Sequence, residues 1–197
     1  QIAEVHERRS EYEPAINWVE KGLNYLNGDE QSNEAARIYL IGARTFDHQG
    51  RLDKAMDWCQ KSLAIASGIK TREAQQTTAQ AYTRLSAICL LRGDFDLSIP
   101  FCQESIQIYQ EIEDTAGQIG PYIIVGMAYF SLGNWGQAQD AFDKSLGIAT
   151  AIGDIDGQSR ASNNLALIHL ARGDWDQAQL LFEQNSNIWK QIGMAKD

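Results

Sequence analysis

The sequence predicts an all-α, right-handed superhelical solenoid of antiparallel helix pairs. The first observation behind this prediction is a pattern that occurs four times, at intervals of 43, 40 and 40 residues. Each copy has a glycine, a bulky apolar residue two positions later and a small residue three positions after that; the glycines are Gly50, Gly93, Gly133 and Gly173. The second observation is that the apolar residues around each copy follow helical spacing. Self-similarity at a fixed period of about 20 to 50 residues is typical of stacked-repeat proteins.

Each of these glycines is expected to separate the first helix of a pair from the second. Glycine can adopt the left-handed conformation that ends a helix. Good N-cap residues follow three of the glycines, at Asp94, Asn134 and Asp174. The next first helix is expected to be capped in the same way by Asp114, Asp154 or Asp156. Because such turns are short, the two helices of a pair must run antiparallel.

The pattern places the helices in order along the chain. First helices are expected at about 32–48, 73–91, 118–131 and 157–171, and second helices at about 52–66, 95–111, 135–151 and 175–191. An earlier second helix is expected at about 14–26, because Ala15 lies one period before Ala55, and residues 2–10 resemble the end of another first helix. Pro121 is expected to delay or kink its first helix, and Pro100 removes one backbone hydrogen bond inside a second helix.

These helices divide the chain into repeats of one array. We expect a partial repeat at 1–27 and further repeats at 28–69, 70–114, 115–154 and 155–193. Both ends interrupt the pattern, so we expect a fragment of a larger protein.

Composition limits the classes of function. The net charge of −9 argues against a nucleic-acid partner, because phosphate binding needs a basic surface. No apolar run is long enough for a membrane segment, and the charged first residues are unlike a signal peptide. Three cysteines, an odd number, fit a reducing compartment better than a disulfide framework. We therefore expect a cytoplasmic protein, and the style of the repeats favours a bacterial source.

The sequence offers no pattern for a catalytic or metal site. His6, His48 and His169 share no ligand spacing, and His169 takes the place of a core aromatic residue. Cys59 and Cys102 occupy a buried apolar position of the repeat. The aspartates after the glycines are explained as helix caps and first-turn charges. We expect no enzyme activity, no metal and no cofactor.

With these residues in view, the chain resembles the tetratricopeptide repeat family across nearly its whole length. The matching positions are the glycine, the aromatic residue, the small residue and the apolar residue of that family's second helix, as in Gly173, Trp175, Ala178 and Phe182. The period of roughly 40 residues is similar to the longer-repeat branch, which includes LGN, kinesin light chains and arrays in bacterial STAND-type ATPases.

The resemblance implies that first helices line a concave groove and bind a partner there. The residues expected to do so are Arg37, Arg44, Arg84, Ile123, Ile124, Met127, Phe130, Arg160, Asn163, Asn164 and Leu167. In LGN-like repeats an Arg-Ala-x-x-Asn-Leu string holds a bound peptide, and the string from Arg160 to Leu165 has that form. Two alternatives stay open here. The stripe from Ile123 to Phe130 is either exposed in the groove or packed against adjacent repeats, and the arginines either recognise a partner or are solvated surface charges.

The distribution of charge indicates the chemical character of the expected partner. The first helices are slightly basic, whereas the acidic residues concentrate on second helices and turns, as in 94–114. Guanidinium groups favour bidentate contacts with carboxylates, so the expected partner is a protein or peptide with acidic and apolar residues. Charge reversal at Arg84 together with Arg160 is expected to weaken such a complex.

The sequence therefore predicts a non-catalytic protein–protein interaction scaffold, of a kind used in signalling. The alternative is a regulatory sensor array of a larger signalling protein, such as a STAND ATPase, a protease or a transcription regulator. Self-association through the ends of the array is a third reading.

Overall fold

The chain is all-α throughout the part that the structure describes. The structure is a computed structural model that describes the backbone of residues 2–26, 29 and 31–194, and the side chains of these residues other than 8 and 187–194. Ten described α-helices follow one another: α1 (Ile2–Arg8), α2 (Tyr12–Tyr25), α3 (Asn33–His48), α4 (Leu52–Ala66), α5 (Arg72–Arg92), α6 (Phe95–Glu111), α7 (Ile119–Ser131), α8 (Trp135–Ile152), α9 (Ile155–Arg172) and α10 (Trp175–Met194). The prediction of an all-α array of helix pairs is confirmed.

The helices pack in two compact units. Unit 1 comprises residues 1–113 with α1 to α6, and unit 2 comprises residues 114–197 with α7 to α10. Within each unit every odd-numbered first helix packs on the second helix that follows it. The second helix then packs on the next first helix, as α4 does on α5 and α8 does on α9. This alternation buries an apolar face of each helix against its neighbours along the chain.

The repeated glycines end the first helices as predicted. Gly50, Gly93, Gly133 and Gly173 have φ values of 72°, 81°, 77° and 83°. These values lie in the left-handed region, which a residue with a Cβ atom enters at a cost of about 1–2 kcal/mol. The small residue of each copy is fully buried, so the pattern marks both the turn and the helix contact.

Helix capping agrees with the sequence at some positions and differs at others. Asp154 Oδ1 accepts a hydrogen bond from Gly157 N at 3.1 Å, and Asp114 Oδ1 accepts one from Gly117 N at 2.9 Å. Asp94 and Asn134 lie at N-cap positions, but their side chains accept no capping hydrogen bond. Their ψ angles are 60° and 61°, whereas side-chain capping uses an extended N-cap residue, like Ser32 with ψ 160°.

The two prolines are accommodated in different ways. A 3-10 turn, Ala116–Gln118, precedes α7, so Pro121 falls in the first turn of the α-helix, where the missing N–H costs no helical bond. Pro100 lies inside α6, as the sequence indicated. None of the described helices is long and apolar enough to cross a membrane.

Candidate functional site

A pocket lies between the first helices of unit 1. Its volume is about 270 Å³. Helices α1, α3 and α5 line it with Glu4, Asn33, Arg37, Leu40, Ile41, Arg44, Glu73, Gln76, Thr77 and Gln80. Helical spacing explains the lining, because residues three and four positions apart share one face of a helix. We call this feature the unit 1 pocket.

The unit 1 pocket combines an apolar floor with a polar rim. Leu40 is buried and Ile41 is half-buried, whereas Arg37 and Gln80 are exposed. Thr77 Oγ1 is not available to a ligand as a donor, since it bonds Glu73 O at 3.0 Å within α5. The pocket therefore places the exposed guanidinium group of Arg37 and the exposed carboxamide of Gln80 beside a patch of branched aliphatic surface, with the carboxylates of Glu4 and Glu73 also in its lining.

Two of the predicted arginines are already paired inside the chain. Arg44 binds the buried Glu7 with two hydrogen bonds, of which the one from Nε to Oε1 measures 3.1 Å and the other joins Nη2 to Oε2. Arg84 Nη1 lies 2.8 Å from Asp47 Oδ2. Both pairs tie one first helix to the next, α1 to α3 and α3 to α5. The positive charge of each arginine is balanced by an acidic side chain of the same chain. These two residues therefore attract a partner carboxylate less strongly than unpaired arginines would.

Arg37 differs from these two arginines. It is exposed on α3, it lines the unit 1 pocket, and among the described side chains it has no ion pair within 4.0 Å. Helical spacing alone does not rank Arg37 above Arg44 or Arg84, because it does not identify the acidic partners Glu7 and Asp47. One signal was present, since each acid precedes its arginine by 37 residues.

The first helices of unit 2 carry the predicted apolar stripe only in part. Ile123 is 2% exposed and packs in a cluster with Ile119, Ile148 and Ala149, so its predicted place on a binding face is wrong. Its position faces the second helix of its own pair. Among the other predicted apolar residues, Met127 and Leu167 are exposed, and Ile124 and Phe130 are half-buried.

The predicted arginine and asparagines of α9 contact groups within unit 2. Asn163 Oδ1 accepts a hydrogen bond from Asn185 Nδ2 of α10 at 2.7 Å, and Asn164 Nδ2 donates to Arg160 O at 2.8 Å. Arg160 Nη1 lies 3.8 Å from Asp156 Oδ2 one turn away. Arg160 is half exposed and this pair is long, so a partner carboxylate could replace Asp156 at small cost.

The titratable side chains in the described part of the chain form no candidate metal site. No group of three His, Cys, Asp or Glu side chains there lies close enough to hold a metal ion. Burial raises the pKa of the Cys59 and Cys102 thiols to about 12, which keeps both protonated. Burial, and then the neighbouring Asp140, raises the pKa of the Asp143 carboxyl.

Comparison with a family model bears directly on the repeats. Residues 121–191 match the model of the tetratricopeptide repeat. The resemblance to tetratricopeptide repeat proteins is confirmed. The matched residues run from the first turn of α7 into α10, and so include the glycine patterns at Gly133 and Gly173.

Two curated proteins are similar in sequence to parts of this chain. The chain is 23% identical to Protein KINESIN LIGHT CHAIN-RELATED 3 of Arabidopsis thaliana over 150 residues, which are 73% of this chain and 23% of that protein. It is 33% identical to G-protein-signaling modulator 1 of Homo sapiens over 94 residues, which are 43% of this chain and 14% of that protein. The aligned parts span less than a quarter of either relative.

Solved structures share the fold at low sequence identity. BtubC (BKLC) from P. vanneervenii has a TM-score of 0.81 at 19% identity, and the match covers 97% of this chain and 78% of that one. A Rap protein complexed with Competence and Sporulation Factor has a TM-score of 0.80 at 16% identity, and the match covers 93% of this chain and 50% of that one. A STAND protein with a tetratricopeptide repeat sensor from Pyrococcus horikoshii has a TM-score of 0.82 at 18% identity, and the match covers 99% of this chain and 29% of that one.

Proposed function

We propose that this chain is a non-catalytic interaction scaffold that binds a segment of a partner protein on the first helices of unit 1. The unit 1 pocket carries the proposal, because it places an exposed arginine, an exposed carboxamide and aliphatic surface within one recess. These are the groups that hold a short peptide segment. The tetratricopeptide repeat match supports the proposal at the level of fold.

Each group of the unit 1 pocket has a proposed role. Arg37 binds a carboxylate of the partner, since a guanidinium group offers two parallel N–H donors to it. Gln80 bonds a backbone amide of the segment through its own carboxamide, which both donates and accepts. Ile41 and Leu40 receive an apolar side chain. An exposed ion pair contributes only about 0.2–1 kcal/mol, so the apolar side chain must supply much of the affinity.

Unit 2 has a second proposed contact surface of the same type. Met127 of α7 and Leu167 of α9 occupy equivalent positions of successive first helices, 40 residues apart, and both are exposed. Arg160 lies near the start of α9. We propose these three residues, with Ile124 and Phe130 beside them, as a site for an apolar anchor next to an acidic residue.

The proposal is tested with peptides selected on the chain itself. A peptide display library is panned on the wild-type chain, and the affinity of each selected peptide is measured by fluorescence anisotropy. The double variant Arg37→Glu with Gln80→Ala is expected to weaken binding roughly fivefold to thirtyfold, the equivalent of about 1–2 kcal/mol. The control is Lys61→Glu, which reverses an exposed charge on a second helix, and it should leave the affinity unchanged.

Two outcomes contradict this proposed function. One is a selection that yields no peptide with measurable affinity for the wild-type chain. The other is a set of selected peptides that bind the Arg37→Glu, Gln80→Ala variant as tightly as they bind the wild type.

A second candidate function is a regulatory sensor array within a larger signalling protein. The similarity to the STAND protein with a tetratricopeptide repeat sensor supports it, because this chain aligns over nearly its whole length with 29% of that protein. In this reading the same first-helix surfaces contact the protein's own effector domain. The coding sequence on either side decides between the two, since an adjacent nucleotide-binding module with a P-loop would favour the sensor.

A further inference from the structure

The unit 1 pocket is lined by charged groups of both signs that do not pair with each other. Arg37 of α3 and Glu73 of α5 both line it, and both side chains are exposed. Among the described side chains, neither has an ion pair within 4.0 Å. The hydroxyl of Thr77 bonds the backbone oxygen of Glu73 and not its carboxylate, so the carboxylate is open to a ligand.

The pocket also contains a buried acceptor that lacks a donor. Asn33 is the first residue of α3 and lines the pocket. Its Oδ1 atom is buried and has no hydrogen-bond partner among the described residues. A buried acceptor without a donor is unfavourable, because it has lost water and gained nothing in exchange. A ligand that brings an N–H donor to Asn33 Oδ1 removes this cost.

The repeat register places these groups in order along the two helices. Asn33 corresponds to Gln76 and Arg37 corresponds to Gln80, 43 residues later in each case. The acceptors of Glu73 and Asn33 therefore lie at the N-terminal ends of α5 and α3, and Arg37 lies further along. Seven residues of α5 separate Glu73 from Gln80, a length of about 10 Å. The aliphatic residues of the pocket follow Arg37 by about one more turn of α3.

The helices that carry these residues lie inside unit 1. Helix α3 packs against α2 and α4, and α5 packs against α4 and α6. Helices α3 and α5 also pack against each other. Both helices thus have a described neighbour on either side along the chain, and the recess between them is formed by packing within unit 1.

We propose that the unit 1 pocket selects a partner segment that carries a cationic nitrogen group besides its acidic and apolar residues. This inference rests on the proposed function, because it specifies the segment that the same pocket binds. The carboxylate of Glu73 and Oδ1 of Asn33 bind the cation, which is a basic side chain or the free amino terminus of the segment. Arg37 binds the carboxylate.

The order of the groups in the pocket sets the order of residues in the segment. The acidic residue lies between the cation and the apolar residue, because Arg37 lies between the acceptors and the aliphatic surface. An extended chain advances about 3.3 Å per residue, so about 10 Å separates the cation from the acidic residue by about three positions. Glu73 repels a segment that has carboxylates at both positions, and so contributes specificity as well as attraction.

Peptides selected on the wild-type chain from the display library test the proposal. They are expected to carry a basic residue or a free amino terminus about three positions from an acidic residue. Each peptide is synthesised with a fluorophore at its carboxyl end, and its affinity is measured by fluorescence anisotropy. Replacing the basic residue by norleucine and acetylating the amino terminus distinguish the two sources of the cation. The change that removes the bound cation should weaken binding about twofold to fivefold.

A charge exchange across the contact identifies the residue that binds the cation. Glu73→Lys should weaken the selected peptides about threefold to tenfold. For peptides bound through a basic side chain, the same variant should bind the form with glutamate at that position more tightly than the wild type does. The control is Glu34→Lys, because Glu34 is an exposed first-turn carboxylate of α3 outside the pocket lining. It should leave both affinities unchanged, and far-UV circular dichroism should show equal helix content.

The outcomes separate this inference from the proposed function. Selected peptides that show no preference for a cation overturn the inference alone, provided that Arg37→Glu with Gln80→Ala still weakens them. A Glu73→Lys variant that binds the selected peptides as tightly as the wild type does also overturns it alone. A selection that yields no peptide overturns the proposed function and this inference together.

Discussion

Gly126 shows how the size of one residue is matched to that of one neighbour. A Cβ atom at this position would lie 2.5 Å from Cε1 of Phe142, far inside van der Waals contact. In unit 1 the corresponding contact joins Ala43 to Cys59, two small residues. Glycine on α7 therefore makes room for the phenylalanine that seals the contact between α8 and α9.

The stability of unit 2 should respond in opposite directions to two glycine substitutions. Gly126→Ala is expected to lower the free energy of unfolding by about 1–3 kcal/mol, because the ring of Phe142 is buried and cannot move aside freely. Gly147→Ala, in the exposed face of α8 with no atom within 4 Å of the added Cβ, should raise it by about 0.5–1 kcal/mol. Urea denaturation followed by circular dichroism measures both. Equal effects of the two substitutions would contradict this explanation.

At the residue scale the sequence predicted the backbone better than the side-chain partners. The left-handed glycines follow from local chemistry, and they were predicted. The pairing of Arg44 with Glu7 and of Arg84 with Asp47 depends on side chains 37 residues apart. Helical spacing within one segment contains no information on such a distant partner, so the sequence does not reveal that these arginines are paired within the chain.

At the scale of the helix pair, a polar side chain at one repeated position of the second helix donates a hydrogen bond to the backbone of the first helix. Ser105 Oγ donates to Ala79 O at 2.9 Å, and Ser145 Oγ donates to Ile119 O at 3.2 Å. Asn185 Nδ2 donates to Ser159 O at 3.0 Å in the same register. Each donor follows its acceptor by 26 residues. Ser62 holds this position in α4, but its buried hydroxyl has no hydrogen-bond partner among the described residues.

Alanine at Ser145 and at Ser62 should therefore differ in effect. Ser145→Ala removes a buried hydrogen bond and is expected to cost about 0.5–1.5 kcal/mol of stability. Ser62→Ala removes a buried hydroxyl that bonds nothing described, so stability should be unchanged or higher. Thermal unfolding of the two variants beside the wild type provides the comparison. A similar loss for both variants would show that the position stabilises the pair through packing alone.

The helices themselves were largely predictable because their signals are local. Apolar spacing, glycine and proline placed the complete helices to within a few residues of their observed ends. The caps were less predictable, since Asp94 and Asn134 have the right residue type but a ψ angle unsuited to side-chain capping. The 3-10 turn Ala116–Gln118 before α7 was not predicted, because helical spacing does not distinguish it from the first turn of the α-helix.

At the scale of the whole molecule, the candidate surfaces divide between two units. The unit 1 pocket belongs to α1, α3 and α5, and the proposed apolar surface of unit 2 belongs to α7 and α9. The sequence identified first helices as the source of both through a family resemblance. It could not rank the residues, because burial removes Ile123 and internal ion pairs occupy Arg44 and Arg84. Arg37, Gln80, Met127 and Leu167 emerge only from accessibility and pairing in the folded chain.

The central claim is that first helices of unit 1 form the working surface, and amide chemical-shift mapping tests it most directly. The ¹⁵N-labelled chain is titrated with a peptide selected on it. The account predicts that the largest shift changes fall on α3 and α5, around Arg37, Ile41 and Gln80, with little change on α4. Changes confined to α2, α4 and α6, with those three residues unaffected, would contradict it.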